Sequence, residues 1–349
     1  MSISVAIAGA TGYTGLELIR LVLAHPNLEL SGVYASPGGR SVGQRLDDAF
    51  AELRGRTELV LESGEAENIL AGAPGVVFLC TPHEASAALA PELLDSGALV
   101  ADLSGAFRLS AEHYPRHYGF EHPRPDVLSR AVYALPEHNR EAIAGASLLA
   151  CPGCYPTASL LPLKPLVDAG VLDESRPVLV DAVSGISGAG RTPSPRTTFG
   201  EVSLQAYNVL AHRHQPEIAE HSGRAVLFVP SVGPFFRGMQ SLVHVDMVPG
   251  VGEAEIRGVL ESAYQTSAFV RVLPAGCWPS VSSVERTNYA DIALAFDARH
   301  RHAVLACSID NLMKGASGQA LQAVNIRLGF DERAGLLPGA AARAAGGVP

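Results

Sequence analysis

The segment Cys151-Pro152-Gly153-Cys154-Tyr155-Pro156-Thr157 holds the residue types best suited to covalent chemistry. A short apolar run at 147–150 precedes it, and an apolar helical pattern over 157–167 follows. Cys154 therefore falls at a strand–turn–helix junction. Unbonded amides and the positive end of the helix dipole favour thiolate at such a position. A nucleophile mounted there is a recurrent arrangement for covalent catalysis. Two other readings of the thiol pair stay open, a redox couple and a pair of small buried residues. Zinc would need further ligands at matching spacing, and no second pair occurs, so no metal is expected. Cys80, Cys151 and Cys307 read as core.

A thiol that processes acyl groups needs a proton donor and acceptor, most often histidine. Among twelve histidines, those in His212-Arg213-His214-Gln215-Pro216-Glu217-Ile218 stand out. Pro216 in the first turn of a helix puts His214 near that helix's start. In an extended approach His212 and His214 face one side, with a surface pair as the alternative. The loop Ser184-Gly185-Ile186-Ser187-Gly188-Ala189-Gly190-Arg191 ends in a cation, and so does Asp102-Leu103-Ser104-Gly105-Ala106-Phe107-Arg108. Such arginines suit phosphate or carboxylate. For Arg108 a surface ion pair is an equal alternative.

Near the N-terminus Gly9-Ala10-Thr11-Gly12-Tyr13-Thr14-Gly15 separates an apolar run from a helical pattern. Glycines allow the tight turn and close backbone approach, and a helix start offers amides to a pyrophosphate. The spacing is G-x-x-G-x-x-G rather than G-x-G-x-x-G, so the signal comes from its place between strand and helix. The second strand ends in Tyr34-Ala35-Ser36-Pro37-Gly38-Gly39-Arg40. An NAD site usually carries a carboxylate there, whereas Ser36 and Arg40 suit a 2′-phosphate and favour NADP. A plain polar loop is the alternative.

The elements that must position these residues alternate through the first 150 positions, which predicts a Rossmann-type, doubly wound parallel sheet. Strands are expected at 4–8, 28–34, 75–80, 98–102 and 147–150, with helices at 15–24 and 85–96. Residues 110–140 show no clear periodicity. From 178 onward strands dominate, at 177–182, 225–229, 240–248 and 303–308, with a helix over 254–264. An α+β second domain with a mostly antiparallel sheet follows. A last helix at 319–327 follows Lys314-Gly315-Ala316-Ser317-Gly318. The Gly/Ala-rich tail from Ala334 reads as poorly ordered.

At 349 residues, two domains are expected. The 47% of hydrophobic residues rules out general disorder. With 26 Lys and Arg against 35 Asp and Glu, and no long basic run, nucleic acid and anionic membranes are not expected partners. No apolar stretch reaches the roughly 18–20 residues of a membrane span. No signal-peptide pattern is present, and five cysteines do not make a disulfide framework. A reduced cytoplasmic setting is expected.

Over residues 4–330 the chain resembles the N-acetyl-gamma-glutamyl-phosphate reductase family. The resemblance rests on Gly9–Gly15, Asp102–Arg108, Pro152–Thr157, Ser184–Arg191, His212–Ile218 and Lys314–Ala320. It implies a branch of the aspartate-semialdehyde and glyceraldehyde-phosphate dehydrogenase group. It implies NADPH-dependent reduction of N-acetylglutamyl 5-phosphate through a thioester on Cys154, with His214, or else His212, moving protons. The cofactor would lie on Gly9, Thr11, Gly12, Tyr13, Thr14, Gly15, Ser36, Arg40, Asn311, Lys314 and Gly315. Ser104, Arg108 and Arg191 are candidates for the substrate. An NADP-binding domain of 1–150 and 314–349 and a catalytic, dimerising domain of 151–313 follow, as does a homotetramer. Cys151 stands where an aliphatic residue is more usual, so a Cys151–Cys154 disulfide under oxidation is a further expectation. The alternatives are the sister reductase acting on a carrier-linked aminoadipyl phosphate in lysine biosynthesis, and a non-catalytic NADP-binding sensor.

Overall fold

Short apolar runs separated by helices form a sheet buried on both faces, and seven strands of two to eight residues do so here. In the computed structural model, which describes residues 2–337, these strands are β1 (Ile3–Ala8), β2 (Leu28–Ala35), β3 (Leu61–Ser63), β4 (Val76–Leu79), β5 (Leu99–Asp102), β6 (Val132–Tyr133) and β7 (Leu148–Ala150). Their order is β3-β2-β1-β4-β5-β7-β6 and every pairing is parallel. The order reverses at β1 and β4, which opens a crevice at the strands' carboxyl ends. Residues Val5–Ala8 of β1 and all of β4 are at most 1% exposed, so the centre of the sheet is the core.

This sheet belongs to one of two units, which runs from the N-terminus to Ala111, from Phe120 to Pro152, and from Ala316 onward. The helix Gly318–Arg327 belongs to it, buried from Gly318 to Ile326. It packs on the helices Pro136–Gly145 and Tyr13–Leu23. Residues following that helix are also packed. Ala334 is 3% exposed, and Asn325 Nδ2 donates to its carbonyl at 2.9 Å. The expected disorder thus does not begin at Ala334, and the rest of that expectation, from 338 on, lies outside the described residues.

The second unit comprises Glu112–Gly119 and Gly153–Gly315. Its strands are β8 (Val178–Gly185), β9 (Gln205–Ala206), β10 (Val226–Gly233), β11 (Met239–Asp246), β12 (Val270–Val272), β13 (Ala290–Asp297) and β14 (His302–Ile309), in the order β12-β13-β14-β11-β8-β10-β9. The β8–β10 and β12–β13 pairs are parallel and the other four antiparallel. Buried and part-exposed residues alternate along β11, the mark of a sheet with one face on a core. On that face lies the helix Cys154–Asp168, against β11 and β14. Pro162 and Pro165 stand inside this helix and remove the donors for the Ala158 and Leu161 carbonyls. The buried Tyr264 hydroxyl donates to the Leu161 carbonyl instead.

The sequence pattern did not reveal the shortest strands, nor one of the longest. β3, β6, β9 and β12 have two or three residues, too few for a period, and β13 was also unanticipated. Within 110–140 the prolines start helices rather than break them, at Tyr114–His117, Pro125–Leu128 and Pro136–Gly145.

Candidate active site

In the second unit, Gly153 is the N-cap of the helix that Cys154 begins, with extended φ/ψ of −67° and 157°. The Thr157 N–H donates to the Gly153 carbonyl at 2.9 Å, closing the first helical turn. Gly153, having no side chain, supplies no side-chain cap. The Gly153 N–H donates to Glu217 Oε1 at 2.8 Å, and Glu217 is fully buried on the helix His214–Ser222. The carboxylate of the His-Arg-His-x-Pro-Glu run therefore holds the turn that carries the thiol. Across from it, a Cβ on Gly315 would come within 2.8 Å of Cys154 Cβ, so the backbone at 315 lies directly on the cysteine. All five cysteines are thiols.

His212 and His214 are 8% and 7% exposed, with ring centroids 4.7 Å apart. Tyr155 packs edge-on against both at 5.7 and 5.8 Å. Its hydroxyl donates to the Ser231 carbonyl at 3.0 Å and lies 3.3 Å from the Tyr207 hydroxyl. The His214 N–H donates to His212 Nδ1 at 3.1 Å, so the proton of His212 sits on Nε2. Burial, helped by the Arg213 charge, pushes the His212 imidazole down to about 4. His212 is neutral at pH 7.

Cys154, His212 and His214 line one cavity of about 720 Å³. Arg196, Arg213 and His117 line it too, and none of its described lining residues is an acid. Arg196 lies over the Tyr207 ring at 5.8 Å. The two arginines thus gather positive charge around the thiol in a chain of net charge −9. Sequence reasoning missed Arg196, Tyr207 and His117, because loop residues far apart in sequence leave no spacing signal. Arg213 and Glu217 stood inside a quoted motif without a role. Arg191 is exposed beyond Gly190 and lies outside this lining.

Asn311, Lys314 and Gly315 also belong to the second unit. Asn311 Oδ1 accepts the Gly238 N–H at 2.7 Å, and its Nδ2 donates to Ser187 Oγ at 3.0 Å. Lys314 is fully buried in the π-turn Met313–Ser317.

The glycine loop belongs to the first unit. Gly9 has φ +80°, and a Cβ there would lie 2.3 Å from the Cys80 carbonyl oxygen. One on Gly15 would lie 2.4 Å from the Gly9 carbonyl oxygen. The Gly9 and Ala10 amides donate to the Tyr34 carbonyl at 2.9 and 3.0 Å. Thr11 links the Ala10 turn to Gly12, the N-cap of the helix Tyr13–Leu23, and Gly12 supplies no side-chain cap to the first turn at Tyr13, Thr14 and Gly15. A helix start behind a tight glycine turn fits a dinucleotide pyrophosphate. Ser36 and Arg40 are exposed in the turn after β2. Ser104 and Arg108 are buried and engaged internally. Ser104 Oγ donates to Asp102 Oδ2 at 2.9 Å, and Arg108 donates to the Cys151 and Leu103 carbonyls, both at 2.7 Å.

Two family models match the chain, one described as the semialdehyde dehydrogenase NAD binding domain over residues 4–146, the other as the semialdehyde dehydrogenase dimerisation domain over 154–311. The fold is shared with aspartate semialdehyde dehydrogenase II of Vibrio cholerae complexed with ASA, at a TM-score of 0.70 and 18% identity over 94% of this chain and 98% of that one. It is also shared with the Candida albicans aspartate semialdehyde dehydrogenase with NADP, at 0.70 and 18% over 93% and 98%. Fold and site together define an oxidoreductase of the semialdehyde dehydrogenase class with a nicotinamide-nucleotide domain. N-acetyl-gamma-glutamyl-phosphate reductase of Aliivibrio fischeri is 45% identical over 93% of this chain and 97% of its own, and that of Pasteurella multocida 44% over 95% and 98%. The chain belongs to the N-acetyl-gamma-glutamyl-phosphate reductase family.

Proposed function

We propose that this protein reduces N-acetyl-L-glutamyl 5-phosphate to N-acetyl-L-glutamate 5-semialdehyde with NADPH, releasing phosphate, as the third step of arginine biosynthesis from glutamate. The observation that carries the reading is Cys154 at a helix start, sharing an acid-free cavity with His214. Cys154 Sγ attacks the acyl carbon, the bond to the phosphate oxygen breaks, and a thioester forms while phosphate departs with the electron pair. Bound NADPH supplies the hydride that reduces the thioester carbon. The carbon–sulfur bond then breaks, the aldehyde leaves, and the thiolate is restored. His214 takes the thiol proton during attack and returns a proton to the departing group. His212, neutral and bound through Nδ1, orients the backbone of His214.

Arg196, Arg213 and His117 complement a substrate with two anionic ends, a carboxylate and an acyl phosphate, and exposed Arg191 is a further cation for it. Ser104 and Arg108 serve as scaffold in this reading, because their polar atoms hold the β5 and β7 ends. The pyrophosphate would rest on Gly9–Gly15, and Ser36 and Arg40 would select the 2′-phosphate. Asn311, Lys314 and Gly315 are assigned to the nicotinamide side. The first unit, with the helix Gly318–Arg327, is assigned to NADP and the second to catalysis and self-association. A cytoplasmic homotetramer follows from the family reading, and light scattering on the purified protein tests the assembly.

Mixing the protein with N-acetylglutamate semialdehyde, phosphate and NADP⁺ should raise absorbance at the NADPH wavelength. Cys154→Ser should abolish that rise. Full turnover by the serine variant, or equal efficiency with NAD⁺, would refute the mechanism or the cofactor choice respectively.

A further inference from the structure

Asp310 and Asn311 directly follow the strand β14, and both residues are almost fully buried, at 0% and 3% exposure. Every oxygen of the Asp310 carboxylate is engaged. Oδ1 accepts the Leu312 and Met313 N–H groups at 2.8 and 3.1 Å, while Oδ2 accepts the Arg286 N–H and the Nε–H of the buried Arg237. The Asp310 carbonyl also accepts the Gly315 N–H at 2.9 Å. These bonds wind the chain into the π-turn Met313–Ser317 and set Gly315 down on Cys154 Cβ. Asn311 extends the same hub to Gly238 and Ser187. The turn it steadies includes Gly188, which lines the Cys154 cavity.

π-turns are rare and concentrate at functional sites. A buried carboxylate paired with a buried guanidinium is also costly to keep unless it holds a geometry. Nothing in the chemistry above uses Asp310 or Arg237, yet their bonds end at the backbone that confines the nucleophile. We propose that Asp310, clamped by Arg237, is a positioning residue that fixes the Met313–Gly315 backbone against Cys154 and so holds its sulfur at the helix start. This rests on the reading of Cys154 as nucleophile. Gly315 is the point of contact, and a methyl group there pushes the cysteine away. Asp310→Asn keeps the size but places an amide against the Arg286 N–H and Arg237, which loosens the turn.

The test is alkylation of Cys154 by iodoacetamide across pH, without cofactor, followed by peptide mass mapping so that the exposed Cys277 is counted separately. Moving the sulfur off the helix start removes its dipole stabilisation, so the reactivity midpoint should rise by about one pH unit in Gly315→Ala and Asp310→Asn. Alkylation at pH 7 should fall about tenfold. Leu260→Ala, which empties a fully buried position on the helix Glu253–Tyr264 of the same unit, shows what lost stability alone does and should keep the wild-type midpoint. A wild-type midpoint in Gly315→Ala overturns the proposal, whether or not Asp310→Asn folds. So does a change no larger than that of Leu260→Ala. Failure of the underlying reading shows differently: Cys154→Ser would keep turnover, and wild-type Cys154 would alkylate no faster than Cys277.

Discussion

His212 offers a stability measurement whose size follows from its surroundings. Its ring lies among Tyr155, Tyr207, His214 and Phe228 and is 8% exposed, next to the Arg213 charge. The imidazole titrates near 6.5 when exposed and is pushed down to about 4 in the fold. Between these values the unfolded chain binds a proton that the folded chain refuses, so stability falls as pH drops. The contribution is intact above pH 6.5 and lost as pH falls toward 4. The gap corresponds to about 3 kcal/mol, most of which is gone by pH 4.5. His212→Asn keeps an acceptor for the His214 N–H but does not titrate. Urea unfolding at pH 7.5 and 4.5 should therefore show wild type losing roughly 2–3 kcal/mol more than the variant on acidification. NMR of ring-labelled histidine should place the His212 midpoint near 4. Equal acid losses in the two proteins, or a His212 midpoint near 6.5, would refute the argument.

Gly9→Ala forces a side chain onto φ +80° and 2.3 Å from the Cys80 carbonyl oxygen, so thermal melts should show a loss of about 2 kcal/mol or more and no stabilisation by NADP⁺. Arg40→Ala should raise the KM for NADP⁺ about tenfold and leave that for NAD⁺ unchanged, measured by initial rates with each nucleotide. Arg237→Met leaves the fully buried Asp310 without its guanidinium while its backbone donors remain. Denaturation should report a loss of about 3 kcal/mol, and a loss below about 1 kcal/mol would mean that the backbone bonds alone suffice.

Local chemistry was legible in the sequence and tertiary convergence was not. Cys154 could be placed at a helix start because apolar period and Gly153 mark the junction, and the structure puts it on the first helical residue. The Gly9–Gly15 turn was readable for the same reason. Ser104 and Arg108 looked like ligands because a Ser-Gly-x-x-Arg run after a strand resembles a binding loop. Their partners, Asp102 and the carbonyls of Leu103 and Cys151, appear only when β5 and β7 pair. Arg196 and His117 reach the cavity from segments almost 80 positions apart, which no window on the sequence joins. The unforeseen β12 and β13 pair with each other in parallel at one edge of the second sheet, where a three-residue strand depends on its neighbour for definition.

The prolines inside the helix Cys154–Asp168 bear on how that helix comes apart. Positions 156, 162 and 165 have no amide proton, and the last two break the ladder between the first turns and the end. Hydrogen exchange along the helix should therefore divide into two independent stretches. The outer one, near Asp168, opens without the inner one. The thiol sits on a short, separately latched segment, so fraying at the far end of its helix does not reach it.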